Sequence, residues 1–134
     1  MAGSHPPSGI ETVRRFYELM GQDRFQEAEA YLDEAIVVRE SPDLPFGGDY
    51  HGLSGNAELV GKMTSVFDLA IKHADFYDAG DTVTARLHAC FTPKATGTPL
   101  DLDIVELLKV RDGKIVDIEI FHKTPSVLAA HWPA

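Results

Sequence analysis

The sequence predicts an α+β fold, in which three N-terminal helices pack against a curved antiparallel sheet and form a cone around an apolar pocket. Apolar residues at helical spacing dominate the first half of the 134-residue chain, whereas strand-like alternation fills most of the second half. The pair Asp112-Gly113 stands between two alternating runs, which is a strong hairpin signal. Helices followed by a run of strands are typical of the α+β class.

Three helices are predicted before the sheet, and a short one after it. The first covers residues 10–21, and one of its faces consists of Val13, Phe16, Tyr17 and Met20. The second covers residues 24–32. The third starts near Ser54, and its apolar stripe is expected to continue as far as Ala70. The C-terminal helix is predicted over residues 125–130.

Five strands are predicted, at residues 35–38, 73–77, 82–91, 100–111 and 114–122. Residues 41–48 form a loop after the first strand, because its prolines lack a backbone N–H and its glycines favour turns. Successive side chains of a strand point to opposite faces. The inward face of the long strands is therefore expected to carry Val83, Ala85, Leu87, Ala89, Phe91, Leu102, Ile104, Glu106, Leu108, Val110, Val116, Ile118, Ile120 and His122.

Charge and composition exclude several kinds of partner. The net charge of -9, with dispersed basic residues, argues against nucleic acid and anionic membranes. No apolar run reaches the length of a membrane span. The single cysteine, Cys90, allows no internal disulfide and fits a reducing, cytoplasmic setting. We predict that the protein uses neither a metal nor an organic cofactor. We also predict a flexible leader over residues 1–9 and one domain over residues 10–134.

Glu106 and His122 are the two polar residues on the otherwise apolar inward faces. An ionised carboxylate in such surroundings is costly unless it is paired or solvated, so the pKa of Glu106 is expected to rise. A neutral carboxyl group and an imidazole that face one cavity suit general acid–base chemistry. Two structural alternatives remain open, namely that His122 is a rim or packing residue and that Glu106 pairs with Arg39.

The order of the elements and three segments carry a family resemblance. The segments are residues 13–20, the turn at residues 50–52 and the ending at residues 112–116. They resemble the nuclear-transport-factor-2-like superfamily, in its SnoaL-like and ketosteroid-isomerase-like branch, and residues 44–52 look most like SnoaL-like members. The resemblance covers about residues 10–130. It implies a cystatin-like roll, a fold that hosts many functions.

Comparison with ketosteroid isomerases implies roles for three positions. The tyrosine of their first helix, which donates to the substrate oxyanion, matches Phe16, with Tyr17 one residue out of phase. Their catalytic base matches Arg39 without a gap, or Glu40 after a one-residue insertion, and a one-residue slip exchanges the two. Their neutral carboxylic acid matches Glu106. An ordinary ketosteroid isomerase is therefore not expected.

Two other enzyme groups give further comparisons. The catalytic Arg and two Asp of limonene epoxide hydrolases correspond to Leu87, Ala89 and Ile120. Because these three residues are apolar, the same catalytic mechanism is excluded. SnoaL-like cyclases place an acid–base Asp near the end of the last strand. The nearest inward polar residue here is His122, which is able to shuttle protons near neutral pH.

We therefore expect a cofactor-free enzyme that cyclises or isomerises an apolar, carbonyl-bearing small molecule, such as a polyketide or steroid-like intermediate. The expected catalytic residues are Glu106, His122, Glu40 and Arg39. The expected substrate-binding residues are Phe16, Tyr17, Met20, Phe46, Tyr50, Leu59, Met63, Phe67, Leu87, Ala89, Ile104, Ile118, Ile120 and Trp132. The alternatives are a small-molecule-binding or interaction module without turnover, and a pocket that directs cyclisation by shape alone.

Apolar residues are also predicted on the outer face of the sheet. Val105, Leu107 and Phe121 alternate with the inward set, so they fall on the opposite side. Apolar side chains grouped on an outer face indicate a partner surface, and the family resemblance implies pairing through the sheet. We predict a homodimer formed through the outer sheet face.

Overall fold

The computed structural model describes residues 8–133, which form six strands, four α-helices and one 3-10 helix. In chain order these are α1 (Gly9–Gly21), α2 (Phe25–Ala28), the 3-10 helix (Glu29–Tyr31), β1 (Leu32–Glu40), β2 (Gly48–His51), α3 (Gly52–Val66), β3 (Phe67–Ala79), β4 (Thr82–Pro93), β5 (Leu100–Arg111), β6 (Lys114–His122) and α4 (Pro125–Ala130). In this described part of the chain, no helix is both long enough and apolar enough to cross a membrane.

Of the predicted leader, only Ser8 and Gly9 are among the described residues. The Ser8 side chain caps α1 by accepting a hydrogen bond of 3.3 Å from the backbone N–H of Glu11. This bond satisfies one of the free N–H groups of the first helical turn. Gly9, which was assigned to the leader, already belongs to α1.

The six strands form one curved sheet in the order β2-β1-β6-β5-β4-β3, which confirms the predicted α+β class. The strands pair antiparallel except for β1 and β6, which run parallel. Helix α1 contacts β3, β4, β5 and β6, and α3 contacts β1, β2 and β3. The two helices therefore cover the inner face of the sheet, and the apolar core lies between the two layers.

The boundary between α3 and β3 lies earlier than the sequence indicates. The helix ends at Val66, and Phe67 already has extended backbone angles. From Phe67 onward the chain forms an antiparallel ladder with β4, interrupted by one irregularity between Ile71 and His73, and this ladder includes Ala70, which was expected in the helix. The apolar spacing of this stretch fits either structure, and the distant partner strand decides between them.

The first third of the chain also differs in detail from the prediction. The second helix is shorter than residues 24–32 and passes into the 3-10 helix, while β1 extends on both sides of residues 35–38. Residues 48–51 form the strand β2, which was not predicted and which pairs with the end of β1. A four-residue strand that contains a glycine carries little signal in its own sequence.

The inward faces are confirmed for most of β4, β5 and β6, because Val83, Leu102 and Ile118 are buried. One inward residue was predicted wrongly. Lys109 pairs with Asp117 but Val110 pairs with Ile115, so Val116 is an extra residue in a β-bulge. The bulge reverses the alternation at this end of β6, and Ile115 rather than Val116 is fully buried.

Candidate active site

A cavity of about 160 Å³ lies between the sheet and helices α1 and α3. An engineered cavity of roughly 150 Å³ is known to accept benzene, so this one suits a molecule built on a small ring system. Most of its lining is apolar, and none of the lining residues within positions 8–133 is a lysine or an arginine. The polar exceptions are Tyr17, Glu40, Asn56, Glu106 and His122.

Glu106 lies in the middle of β5, between Ala85 on β4 and Ile120 on β6. Desolvation by the surrounding apolar side chains raises the pKa of Glu106 to about 7, and the nearby Glu40 acts in the same direction. The hydroxyl of Tyr17 donates a hydrogen bond to Oε1 of Glu106 and opposes part of this rise. Glu106 is therefore an acid that is substantially protonated near neutral pH.

Tyr17 reaches Glu106 from the first helix. It occupies the cavity-facing side of α1 together with Phe16 and Met20. Burial, followed by the negative charge of Glu106, raises the pKa of the Tyr17 hydroxyl well above its ordinary value. Tyr17 is consequently a hydrogen-bond donor throughout the neutral pH range.

Glu40 and His122 form a second polar pair at the ends of β1 and β6. The parallel pairing of these strands brings their C-terminal ends together. Nε2 of His122 lies 3.0 Å from Oε1 of Glu40, and the two side chains are only 5% and 4% exposed. This distance fits a hydrogen bond between the imidazole and a carboxylate.

The other ring nitrogen of His122 defines its tautomer. Nδ1 is buried and has no hydrogen-bond partner among residues 8–133, and the Phe46 ring stands edge-on to the imidazole at 6.1 Å between centroids. A proton on Nε2 lets His122 donate to Glu40 and leaves only a lone pair unsatisfied at Nδ1. A proton on Nδ1 would be an unpaired donor in the protein interior, which is costly.

The two carboxyl groups flank the same residue of β6. On one side, Ile120 pairs with Glu106 of β5. On the other side, Arg39 of β1 pairs with Glu119, so the next residue of β1, Glu40, lies beside Ile120. Because neighbouring strands lie about 4.8 Å apart, the backbones of Glu40 and Glu106 are separated by roughly 10 Å. Both side chains and Ile120 line the cavity, so the two carboxyl groups face it from opposite sides of Ile120.

Arg39, one of the expected catalytic residues, lies outside the cavity. Its side chain is 40% exposed and makes salt bridges of 3.0 Å with Asp49 and with Asp117. Alternation along β1 therefore turns Glu40 inward and Arg39 outward. The structure decides the open choice between these two neighbours in favour of Glu40, and the partner of Glu106 is Tyr17 instead of Arg39.

Ten of the expected substrate-binding residues line the cavity, and four do not. The ten are Phe16, Tyr17, Met20, Leu59, Met63, Leu87, Ala89, Ile104, Ile118 and Ile120. The other four, Phe46, Tyr50, Phe67 and Trp132, lie behind the lining. Trp132 packs on Phe46 and on Phe67, with ring centroids 4.9 and 6.2 Å apart. The Tyr50 hydroxyl donates a 2.7 Å hydrogen bond to the Phe46 carbonyl. These aromatic residues support the wall from outside.

The sequence analysis missed several lining residues, of which Asn56 is the polar one. The others are Gly21, Phe25, Val38, Val60, Leu69, Ala70, Ile71 and Phe91. Asn56 precedes Leu59 and Met63 by three and seven positions, so it continues the apolar stripe of α3. That spacing was the available signal for its inward position.

The SnoaL-like domain family matches residues 13–118 of the chain. The protein belongs to the SnoaL-like family. No curated protein matches this SnoaL-like chain. Many solved structures do resemble it, and the similarities confirm its membership in the nuclear-transport-factor-2-like superfamily.

Three solved structures illustrate the range of the resemblance. A nuclear-transport-factor-2-like protein from Burkholderia thailandensis is 26% identical, with 95% of this chain and 99% of that one covered and a TM-score of 0.81. A Mesorhizobium loti protein, provisionally named a SnoaL-like polyketide cyclase, is 26% identical with a TM-score of 0.67, and 84% and 97% of the two chains are covered. TerC, co-crystallised with polyporic acid, is 22% identical with a TM-score of 0.78, and 89% and 94% are covered.

Proposed function

We propose that this SnoaL-like protein is a cofactor-free enzyme that moves a proton next to a carbonyl group of an apolar small molecule, with cyclisation or isomerisation as the result. One observation carries the proposal: Glu106, a carboxyl group whose pKa is raised to about 7, and the buried pair of Glu40 and His122, whose side chains lie 3.0 Å apart, face the same apolar cavity. Titratable groups whose environments differ in this way suit separate acid and base roles.

Glu106 is the proposed acid of the site. Its protonated form donates a hydrogen bond to the substrate carbonyl oxygen, and Tyr17 supports it from α1. When negative charge develops on that oxygen, donors already fixed in an apolar cavity stabilise it more strongly than water does. Because the pKa of Glu106 lies at about 7, the neutral donor is available at physiological pH.

Glu40 is the proposed base. It removes a proton from the carbon next to the carbonyl, the C–H electron pair forms a carbon–carbon double bond, and the carbonyl π pair moves to the oxygen to give an enolate. Return of the proton from Glu40 to a different carbon completes an isomerisation. Attack of the enolate carbon on a second carbonyl of the same molecule completes a cyclisation, and the proton then goes to the new alkoxide.

His122 is a positioning residue in this scheme. Its Nε2–H holds one oxygen of Glu40, so the other oxygen is free to face the cavity. Its Nδ1 is sealed within the wall and does not reach a substrate proton. Of the two residues that the sequence offered as the base, this supports Glu40.

The test is proton exchange on a simple ketone. 2-Tetralone is apolar and enolisable, and in D2O each removal and return of an α-proton introduces deuterium, which proton NMR follows directly. We expect the wild-type protein to accelerate this exchange above buffer. Glu40→Gln should lower the rate by about 100-fold or more, since general bases contribute roughly that much. Glu34→Gln, an exposed residue of the same strand, is the matched control and should leave the rate unchanged.

The alternative of a binding module gives a different result in the same samples. A module without turnover would bind 2-tetralone, as NMR line broadening shows, but would not accelerate exchange. Wild-type exchange at the buffer rate, or equal rates for Glu40→Gln and Glu34→Gln, would contradict the proposed chemistry.

A further inference from the structure

Asn56 is the polar cavity residue that the proposed chemistry does not use. It lies in α3, is 8% exposed, and lines both the main cavity and an adjoining cavity of about 190 Å³. Its side chain forms no hydrogen bond with any residue from 8 to 133, and its polar atoms are not sealed by protein. The free amide therefore borders the cavity.

The placement of this amide is unfavourable for the fold alone. Asn is a poor helix former in a helix interior. The amide borders the cavity, so an apolar molecule that fills the cavity removes its contacts with water and offers no hydrogen bond in return. A leucine at the same position would continue the apolar stripe formed by Leu59 and Met63. A cavity-facing amide that has no hydrogen-bond partner among residues 8–133 thus indicates a partner that arrives with a ligand.

Gly55 fixes the position of Asn56 against the sheet. A Cβ atom at Gly55 would lie 2.8 Å from the backbone carbonyl carbon of Tyr50, so only glycine allows α3 to approach β2 this closely. The close approach holds the start of α3 at the edge of the cavity. The amide is consequently a rigidly placed group on a secondary-structure element.

We propose that Asn56 is a specificity-determining residue that hydrogen-bonds a second oxygen atom of the substrate. An amide offers both a donor and an acceptor, so it binds a hydroxyl or a carbonyl. In the part of the chain that the structure describes, no lysine or arginine lines the cavity, so a neutral group suits this oxygen best. The substrate class is a small apolar ring ketone, or its enol, with a second neutral oxygen directed towards α3. This rests on the proposed function, which places the first oxygen at Glu106.

Naphthols and dihydroxynaphthalenes are the probes for this arrangement. A naphthol mimics an enol with one oxygen, and the set of dihydroxynaphthalene isomers presents a second oxygen at different positions on the same rings. Their dissociation constants are measured by fluorescence titration. For the wild-type protein we expect at least one isomer to bind about tenfold more tightly than either naphthol, which corresponds to one additional hydrogen bond.

The variant that tests the assignment is Asn56→Leu, which keeps the number and branching of the non-hydrogen side-chain atoms. It should remove the tenfold gain and leave the affinity for the naphthols within about threefold. Gln26→Leu, which removes an exposed amide from α2, is the control and should retain the gain. If Asn56→Leu does not fold, Asn56→Ala serves the same comparison.

Each outcome bears on the proposal. A gain that survives in Asn56→Leu, or the absence of any isomer that exceeds both naphthols in the wild type, would overturn it. Glu106→Leu, which removes the hydrogen-bond donor at this position, separates this result from the proposed function. If it leaves naphthol affinity unchanged while the gain still depends on Asn56, the placement of the first oxygen is wrong and the Asn56 site stands. If no probe binds the wild-type protein, both are overturned.

Discussion

Replacing Glu106 by Gln should change how protein stability depends on pH. In the folded state the pKa of Glu106 is raised from an ordinary value of 4.5 to about 7, mainly by desolvation. Between these two values the folded protein holds a proton that the unfolded chain has released. The stabilising contribution of the protonated form is therefore fully present below pH 4.5 and is lost as the pH rises through about 7.

The size of this effect follows from the pKa difference. At roughly 1.4 kcal/mol per pKa unit, the rise corresponds to about 3 kcal/mol in total. Part of this stabilisation is already lost by pH 5, so the free energy of unfolding falls by about 2 to 3 kcal/mol between about pH 5 and about pH 8.5. Gln has nearly the same shape, does not ionise, and can still accept the hydrogen bond from Tyr17.

Urea unfolding at several pH values measures this difference. The free energy of unfolding of the wild type should fall by about 2 to 3 kcal/mol relative to Glu106→Gln over that range. Glu119→Gln, an exposed residue of β6, should follow the wild type. Parallel curves for the wild type and Glu106→Gln would mean that Glu106 is already ionised at pH 5, and the argument for a neutral acid would be refuted.

Three further predictions concern the same site and its surroundings. Tyr17→Phe should raise the pKa of Glu106 further, because the substitution removes a hydrogen bond that lowers this pKa. NMR titration of the carboxyl group measures the pKa, and an unchanged or lower value would contradict the prediction. Gly55→Ala should lower the free energy of unfolding, measured in urea, by about 1 to 3 kcal/mol. Gly61 lies in the same helix with open space around it, so Gly61→Ala should raise the free energy of unfolding by about 0.5 to 1 kcal/mol. Equal effects of the two substitutions would contradict the close approach of α3 to β2. We also propose that the protein forms a homodimer through the outer face of the sheet, where Phe121 is 50% exposed. Phe121→Asp should therefore give monomers in analytical ultracentrifugation, and an intact dimer would mean that another face forms the interface.

The fold was predictable wherever one face of a strand is plainly charged. Asp101, Asp103 and Lys109 assign the faces of β5 unambiguously, and the observed burial follows them. The same rule failed at Val116, because a bulge depends on the hydrogen-bond ladder with β5 and leaves no mark in the local sequence. It also failed at Phe67, where pairing with β4 outweighs helical spacing.

The site residues that could be predicted from the sequence are those that differ clearly from the apolar pattern around them. Glu106 is evident, since a charged residue on an apolar strand face is unusual. Glu40 and Arg39 are adjacent and both charged, so only the register of β1 against β6 separates them. Asn56 is uncharged and lies on a helical stripe, where a single polar residue attracts little notice. The hydrogen bond between Tyr17 and Glu106 joins distant segments and requires the assembled fold.

The parallel pairing of β1 with β6 has a consequence for the order of folding. Glu40 and His122 are 82 residues apart in the sequence, so their contact closes most of the described chain into one loop. Contacts of such separation cost chain entropy before they contribute any stability, and topologies rich in them fold slowly. β6 also supplies Ile120, the residue between the two carboxyl groups. The binding site therefore comes into existence only when the last strand inserts between its neighbours, and the appearance of naphthol binding during refolding would time that event.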